Sequence, residues 1–274
     1  MIGKATLRSV VPRLEPGLRA ERGFALITAL WLITVLATLV GLSMAATRLG
    51  NQTTINRIVL ARGRWAAEAC LAITQARWEQ RDLADTATID LGREVRCAWS
   101  VDDPTGRINL NTADPEVLRG LGLNETFVRA LLARRRQGPV EDLGQLADLP
   151  GFDSGLVALG TVVGPGSINL SSAPRPVLRA IPGLTLEAVD RILYRRSVGR
   201  PLTSLDELAA DLSPPSRATL MNDYADLARL ATFTPPQLVV RAEGWVEGHA
   251  PRATIELLVV PLPERLAVVG RRMW

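Results

Sequence analysis

Few residues in this chain have the chemistry for catalysis. It holds one histidine, His249, and two cysteines, Cys70 and Cys97. A histidine base needs an orienting partner within hydrogen-bond reach, and the surrounding EGHAPR reads as a hairpin loop that supplies none. Cysteine and histidine are too few and too scattered for a zinc site. No glycine-rich loop follows a strand pattern to cradle a phosphate. Asp102 and Asp103, in DDPTG, bear the oxygen ligands that suit Ca2+, yet they lack the spacing of a calcium loop and read equally as an Asx-type turn. Arginine clusters at Arg134-Arg135-Arg136 and Arg195-Arg196. Each closes an apolar-periodic stretch, where cations complement a helix dipole. The reading is therefore no enzyme and no required cofactor, with calcium at Asp102 and Asp103 as the one ion the sequence admits.

The elements that would carry these residues begin with an uncharged stretch. Phe24 to Ala46, FALITALWLITVLATLVGLSMAA, is long enough to cross a bilayer core as a helix, which takes roughly 20 apolar residues. Residues 1–23 before it carry a net charge of +3, and the rest of the chain only +1. A basic flank belongs on the cytoplasmic side, which puts the body on the far side of the membrane. The nearly neutral body also weighs against a nucleic-acid binder, whose footprint is a basic surplus. Pro12, Pro16 and Gly17 discourage helix in the leader. Residues 47–81 hold no proline, and Ile55, Ile58, Val59, Ala66, Ala69, Ile73 and Ala76 recur at helical steps; they continue the helix as an amphipathic stalk. Gly41, Gly50 and Gly63 are points where it is expected to bend.

Alternation then replaces helical spacing. TIDLGREVRCAWSV (88–101) reads as a strand or hairpin, and QLVVRAEGWV (237–246) with ATIELLVVP (253–261) reads as another hairpin, with RLAVVGRRMW adding a last strand. Between them lies an internal repeat. GRINLNTADPEVLRGLGL starts at Gly106 and GSINLSSAPRPVLRAIPGL at Gly166. Ile108 matches Ile168, Arg134 matches Arg195 and Leu143 matches Leu205, so each copy is a short helical unit with small indels. Each copy reads as a proline-opened helix, a glycine hairpin (Gly122-Leu123 and Gly183-Leu184), a second helix, and a third starting near Val140-Glu141 and Ser204-Leu205.

The order of basic leader, Gly23, Phe24 and long apolar helix resembles type IV prepilins and pseudopilins. The resemblance implies that a prepilin peptidase cuts between Gly23 and Phe24 and that Phe24 is N-methylated. Most members carry Glu at the fifth mature position, where this chain has Thr28. That departure, with the INLN repeat, is similar to the type II secretion system protein K family, minor pseudopilins placed at the filament tip. The fold implied is α+β: a pilin-like long N-terminal helix on a small antiparallel sheet (88–105 and 233–274), with an inserted α-helical domain (106–232) holding two helix-hairpin-helix-like repeats. The partners implied are other minor pseudopilins, the major pseudopilin, the inner-membrane secretion platform, the prepilin peptidase, membrane lipid, and secreted substrate or the outer-membrane channel. Protein K relatives also bind calcium. In a pilin-like domain the sheet packs on the later part of the helix, so Cys70 and Cys97 either form a disulfide or stay as two buried thiols.

The competing resemblance is to helix-hairpin-helix DNA receptors of the ComEA type, which covers only the middle of the chain. DNA-binding hairpins present two glycines, so that backbone amides reach a phosphate. The hairpins here, Gly122-Leu123-Asn124, Gly151-Phe152-Asp153 and Gly183-Leu184-Thr185, lack the second glycine. Nucleic acid is the disfavoured partner.

Overall fold

The computed structural model describes residues 18–274, with side chains from Phe24 onward. Residues 1–17, most of the expected leader, lie outside the described residues. The chain divides into two compact units, one ending at Ile58 and one of Val59–Trp274.

Helix α1 (Leu18–Glu79) belongs to both. It starts inside the expected leader, so the Gly23–Phe24 bond lies in helical backbone. The expectation of a non-helical leader is corrected there: Leu18, Arg19, Ala20, Glu21 and Arg22 are all favourable helix residues. The glycines at which bends are expected leave the helix unbroken. In the first unit its apolar side chains point outward, with Trp31 69% and Phe24 72% exposed. An 18-residue window within it reaches a mean hydropathy of 2.3, long and apolar enough to cross a membrane.

In the second unit α1 ends in a turn at Arg81, whose φ is 57°. Strands β1 (Thr86–Gly92) and β2 (Val95–Asp102) form a hairpin. The chain then leaves the sheet as β3 (Ile108–Asn109), α2 (Pro115–Gly120), α3 (Glu125–Arg135), α4 (Leu156–Leu159), β4 (Gly160–Thr161), β5 (Ile168–Asn169), α5 (Arg175–Arg179), α6 (Leu186–Ser197), α7 (Leu205–Ala210), α8 (Pro214–Asn222), α9 (Tyr224–Leu230) and β6 (Ala231–Thr232). It returns as β7 (Leu238–Val246), β8 (Arg252–Leu262) and β9 (Arg265–Met273). The helix expected near Val140 is instead a 3-10 turn, Leu143–Leu146, started by the Asp142 carboxylate accepting from the Gly144 amide.

The five long strands form one antiparallel sheet in the order β1-β2-β7-β8-β9. β2 pairs directly with β7, placing Asp102 opposite Val239. Side chains alternate across a strand, and Cys97, Trp99, Ala242 and Ile255 bury on the face that α1 covers with Ala66, Ala67 and Cys70. Leu238, Val240, Val259 and Leu266 continue that layer against Leu71 and Trp78. Small residues let helix and strand approach closely. A Cβ added to Gly244 would lie 2.5 Å from the Ala67 nitrogen, and one added to Gly63 would lie 2.8 Å from the Gly244 oxygen. The Trp78 indole donates to the Leu262 carbonyl at 2.8 Å, and the Leu266 amide donates to Gln75 at 3.1 Å. Cys70 and Cys97 are joined as a disulfide, with Cα atoms 6.0 Å apart. The helical segment between β2 and β7 has a core of its own, centred on Leu110, Leu118, Phe127, Leu178, Ile192 and Leu208.

Candidate functional site

The membrane-length part of α1 is built to need no polar partner. Thr28 Oγ1 donates to the Phe24 carbonyl at 3.1 Å and lies 3.0 Å from the Ala25 carbonyl. Thr34, Thr38, Ser43 and Thr47 likewise fold their hydroxyls back onto carbonyls three or four residues earlier. A glutamate at position 28 would carry a charge that hydrocarbon penalises unless it is paired. A threonine satisfies itself within its own helix.

Asp102 and Asp103 are held by protein groups. Asp102 pairs with Arg107. Asp103 Oδ1 accepts from the Thr105 amide at 2.9 Å and from its hydroxyl at 2.5 Å. Asp103 Oδ2 accepts from Asn169 Nδ2 at 2.7 Å and from Ser172 Oγ at 2.6 Å. The two carboxylates therefore have different partners. Among the described residues no three His, Cys, Asp or Glu side chains are grouped to hold a metal ion. His249 is exposed in the β7–β8 turn.

Arg135, Arg195 and Arg196 are not the solvated helix ends that their position suggests, whereas Arg136 is exposed. Arg135 at the end of α3 donates to the carbonyls of Leu110 and Ala113 at 2.6 and 2.7 Å. Arg196 in α6 does the same to Leu170 and Ala173. Burial lowers the pKa of both guanidinium groups. Arg195 bridges Glu207 at 2.7 Å and Asp211 at 2.8 Å and holds the Asp211 carboxyl below its ordinary value. Sequence reading missed this clamp, although its signal was present: an arginine at the same place in both copies of the repeat.

Other contacts recur in both copies of the repeat. Ile108-Asn109 pairs in parallel with Gly160-Thr161, and Ile168-Asn169 with Ala231-Thr232. Asn109 and Asn169 each accept from the amide two residues on, at 2.9 Å. The Leu110 and Leu170 amides donate to Thr161 and Thr232 at 2.7 and 2.8 Å. A Cβ added to Gly106 would meet Ser172, and one added to Gly166 would meet Thr112, so each glycine abuts the other's partner position.

The hairpin geometry disfavours phosphate. Gly122, Gly151 and Gly183 all have positive φ near 80°. The following helix starts are already capped, α3 by Asn124 and α6 by Thr185, and both carry a glutamate in the first turn. Ser213 and Ser216 hold Glu187 in α6 ionised, with its pKa lowered to about 2. A surface cavity of about 710 Å3 beside Gly183 is lined by Asp114, Glu116, Asp223 and Asp226. Carboxylates at helix N-termini compete with a phosphate for the same amides.

Comparison with known proteins agrees with this architecture. Residues 108–163 match the family model of type II secretion system protein K. No curated protein matches the sequence. Among solved structures, a chain of the GspK-GspI-GspJ complex from the enterotoxigenic Escherichia coli type 2 secretion system matches the fold with a TM-score of 0.54. The match is 15% identical and covers 83% of this chain and 99% of that one. The segment that carries the first INL motif and its hairpin, set in a fold shared with a protein of that complex, bears out the resemblance to type II secretion system protein K.

Proposed function

We propose that this chain is a minor pseudopilin of the type II secretion system that works by assembly at the tip of the pseudopilus. The observation that carries this reading is the protein K match over residues 108–163 in a chain with the fold of a GspK-GspI-GspJ component. Its partners are then two other minor pseudopilins, with the major pseudopilin below. The helix from Phe24 holds the precursor in the inner membrane with the leader cytoplasmic and the body periplasmic. Prepilin peptidase cleaves between Gly23 and Phe24, and Phe24 is methylated. The self-satisfied Thr28 supports a subunit that needs no carboxylate to pair with a neighbour's terminal amine.

The segment between β2 and β7 is, in this reading, an inserted α-helical domain built from one hairpin unit used twice. The matched arginine clamps, Asn turns and two-residue parallel bridges support it. The DNA-receptor reading has no comparable support, since the hairpins lie among carboxylates. The test is deletion of the gene followed by assay of exoprotein release. Accumulation of folded exoproteins in the periplasm is expected, and unchanged release refutes the proposal. Mass measurement of the protein's N-terminus from its own membranes should give methyl-Phe24; an intact Met1 excludes the processing step.

A further inference from the structure

The helical segment between β2 and β7 and the sheet that carries it share no apolar core. The apolar residues packed in the helical core all fall between Ile108 and Phe233. Those in the layers that α1 and the sheet enclose all fall outside that range. The chain crosses between the two bodies twice, and the crossings sit side by side, since Asp102 pairs with Val239. Asp103 marks the first boundary. Its carboxylate caps the buried 3-10 turn Pro104–Gly106 and accepts from Asn169 and Ser172, so Asp103 belongs to the helical body while Asp102 belongs to the sheet. The second crossing is Thr234-Pro235-Pro236, whose two prolines have no amide to donate. Among the described residues, two side-chain hydrogen bonds pass from sheet to helical body. One is the Asp102–Arg107 pair at the first crossing. The other runs from Arg272 Nη1 on β9 to the Glu141 carbonyl at 3.1 Å, between residues 131 positions apart.

We propose that the helical body swings as a rigid unit about these two crossings, and that Arg272 is the latch that holds it in the position seen here. Domains joined without a large apolar interface move relative to one another by default, and a few residues at element ends absorb the change in backbone angle. The Asp102–Arg107 pair lies at the pivot, five residues apart along the chain, and has little leverage on the angle. Arg272 has more. Its strand lies two places beyond β7 in the sheet, roughly 10 Å to the side of the crossings at the usual strand spacing. The disulfide, the α1 packing and both arginine clamps each lie within one body, so the swing costs none of them. The angle between helical body and sheet is thereby adjustable, whatever the helical body binds.

The test uses full-length protein in nanodiscs, spin-labelled through Thr88→Cys on β1 and Arg129→Cys on α3, both exposed positions. The native cysteines are joined and leave no thiol to label. Double electron–electron resonance gives the distribution of distances between the labels. A second pair, at the exposed Arg129 and Arg179, lies wholly within the helical body and reports on its integrity. Arg272→Ala should at least double the width of the Thr88–Arg129 distribution and leave the Arg129–Arg179 distribution unchanged. Arg271→Ala removes an equal charge next door, where the partner is Glu68 on α1, and should leave both widths at the wild-type value. An unchanged Thr88–Arg129 width in Arg272→Ala means a rigid joint and overturns the proposal. Broadening that Arg271→Ala or the Arg129–Arg179 pair also shows means general loosening and overturns it too. A wild-type distribution already as broad as that of Arg272→Ala shows that Arg272 latches nothing, and the proposal falls.

Discussion

The close approach of α1 to the sheet makes a sharp prediction at Gly244. An added Cβ would lie 2.5 Å from the Ala67 nitrogen and 2.8 Å from the Ala66 Cβ, and closer still to the Gly63 carbonyl. Two of these three neighbours are backbone atoms of a regular helix, so none can swing away as a flexible side chain would. Overpacking of a filled core costs about 1–3 kcal/mol, and Gly244→Ala should fall at the upper end. The chain supplies its own controls. A Cβ at Gly63 meets the Gly244 oxygen at 2.8 Å, and the gain of about 1 kcal/mol in helix propensity offsets part of that clash. A Cβ at Gly50, in the other unit, meets nothing within 4 Å, so Gly50→Ala should not lower the melt. For a unit of this size a change of 1 kcal/mol moves Tm by about 2–4 °C. Gly244→Ala should therefore melt roughly 6–12 °C lower than wild type, and Gly63→Ala should lie between it and Gly50→Ala. The assay is near-ultraviolet circular dichroism of the detergent-solubilised chain during heating, which follows the burial of Trp99 and its neighbours. Equal melting of Gly244→Ala and Gly50→Ala would refute the idea that backbone contact, and not glycine flexibility, fixes these positions.

Three further predictions follow from geometry already described. Replacing both Cys70 and Cys97 by Ala should cost about 3–4 kcal/mol from the chain-entropy cost of a loop whose ends are 27 residues apart; urea midpoints measured with and without reductant should converge for the variant and separate for wild type. Arg196→Ala strips the Leu170 and Ala173 carbonyls of their donor and should cost about 2–3 kcal/mol, since hydrogen bonds to charged groups are the stronger ones. The exposed Arg136→Ala should fall within about 0.5 kcal/mol of wild type in the same denaturation series. Glu187, its pKa lowered to about 2 from 4.5 by hydrogen bonds from Ser213 and Ser216 at the start of α8, contributes stability that is fully present above pH 4.5 and is lost as pH falls toward 2. Glu187→Gln should flatten that part of the acid limb of the stability curve, and an unchanged acid limb would show that the Ser213 and Ser216 bonds are not felt.

Local pattern carried most of the architecture into the sequence. The uncharged run from Phe24, the period-two alternation around Cys97 and Val240, and the paired INL motifs can each be read without coordinates, because one side-chain period or one repeat defines them. The contacts that assemble these pieces were less legible. Asp103 reads locally as a turn former, and only the fold reveals that Asn169 and Ser172 bond to its second oxygen. Arg135 and Arg196 looked like dipole partners at helix ends because position along a helix does not say which way a guanidinium turns. Whether Cys70 could bridge to Cys97 depended on a Cα separation that sequence does not contain. The helix start at Leu18 was missed because the prolines and glycine before it dominated the reading, while five good helix formers followed them.

The pairing of β2 with β7 also changes how the middle of the chain should be regarded. From the viewpoint of the sheet, everything between Asp102 and Val239 is one oversized hairpin loop, because its two ends are already neighbours. The entropy of closing such a loop grows only with the logarithm of its length, by about 0.6 kcal/mol for each doubling. The sheet is thus almost indifferent to how many residues the loop holds. Lineages of this protein are free to lengthen, duplicate or resurface it at little thermodynamic cost to the strands, so the part of the molecule most open to new specificity is also the part its scaffold constrains least.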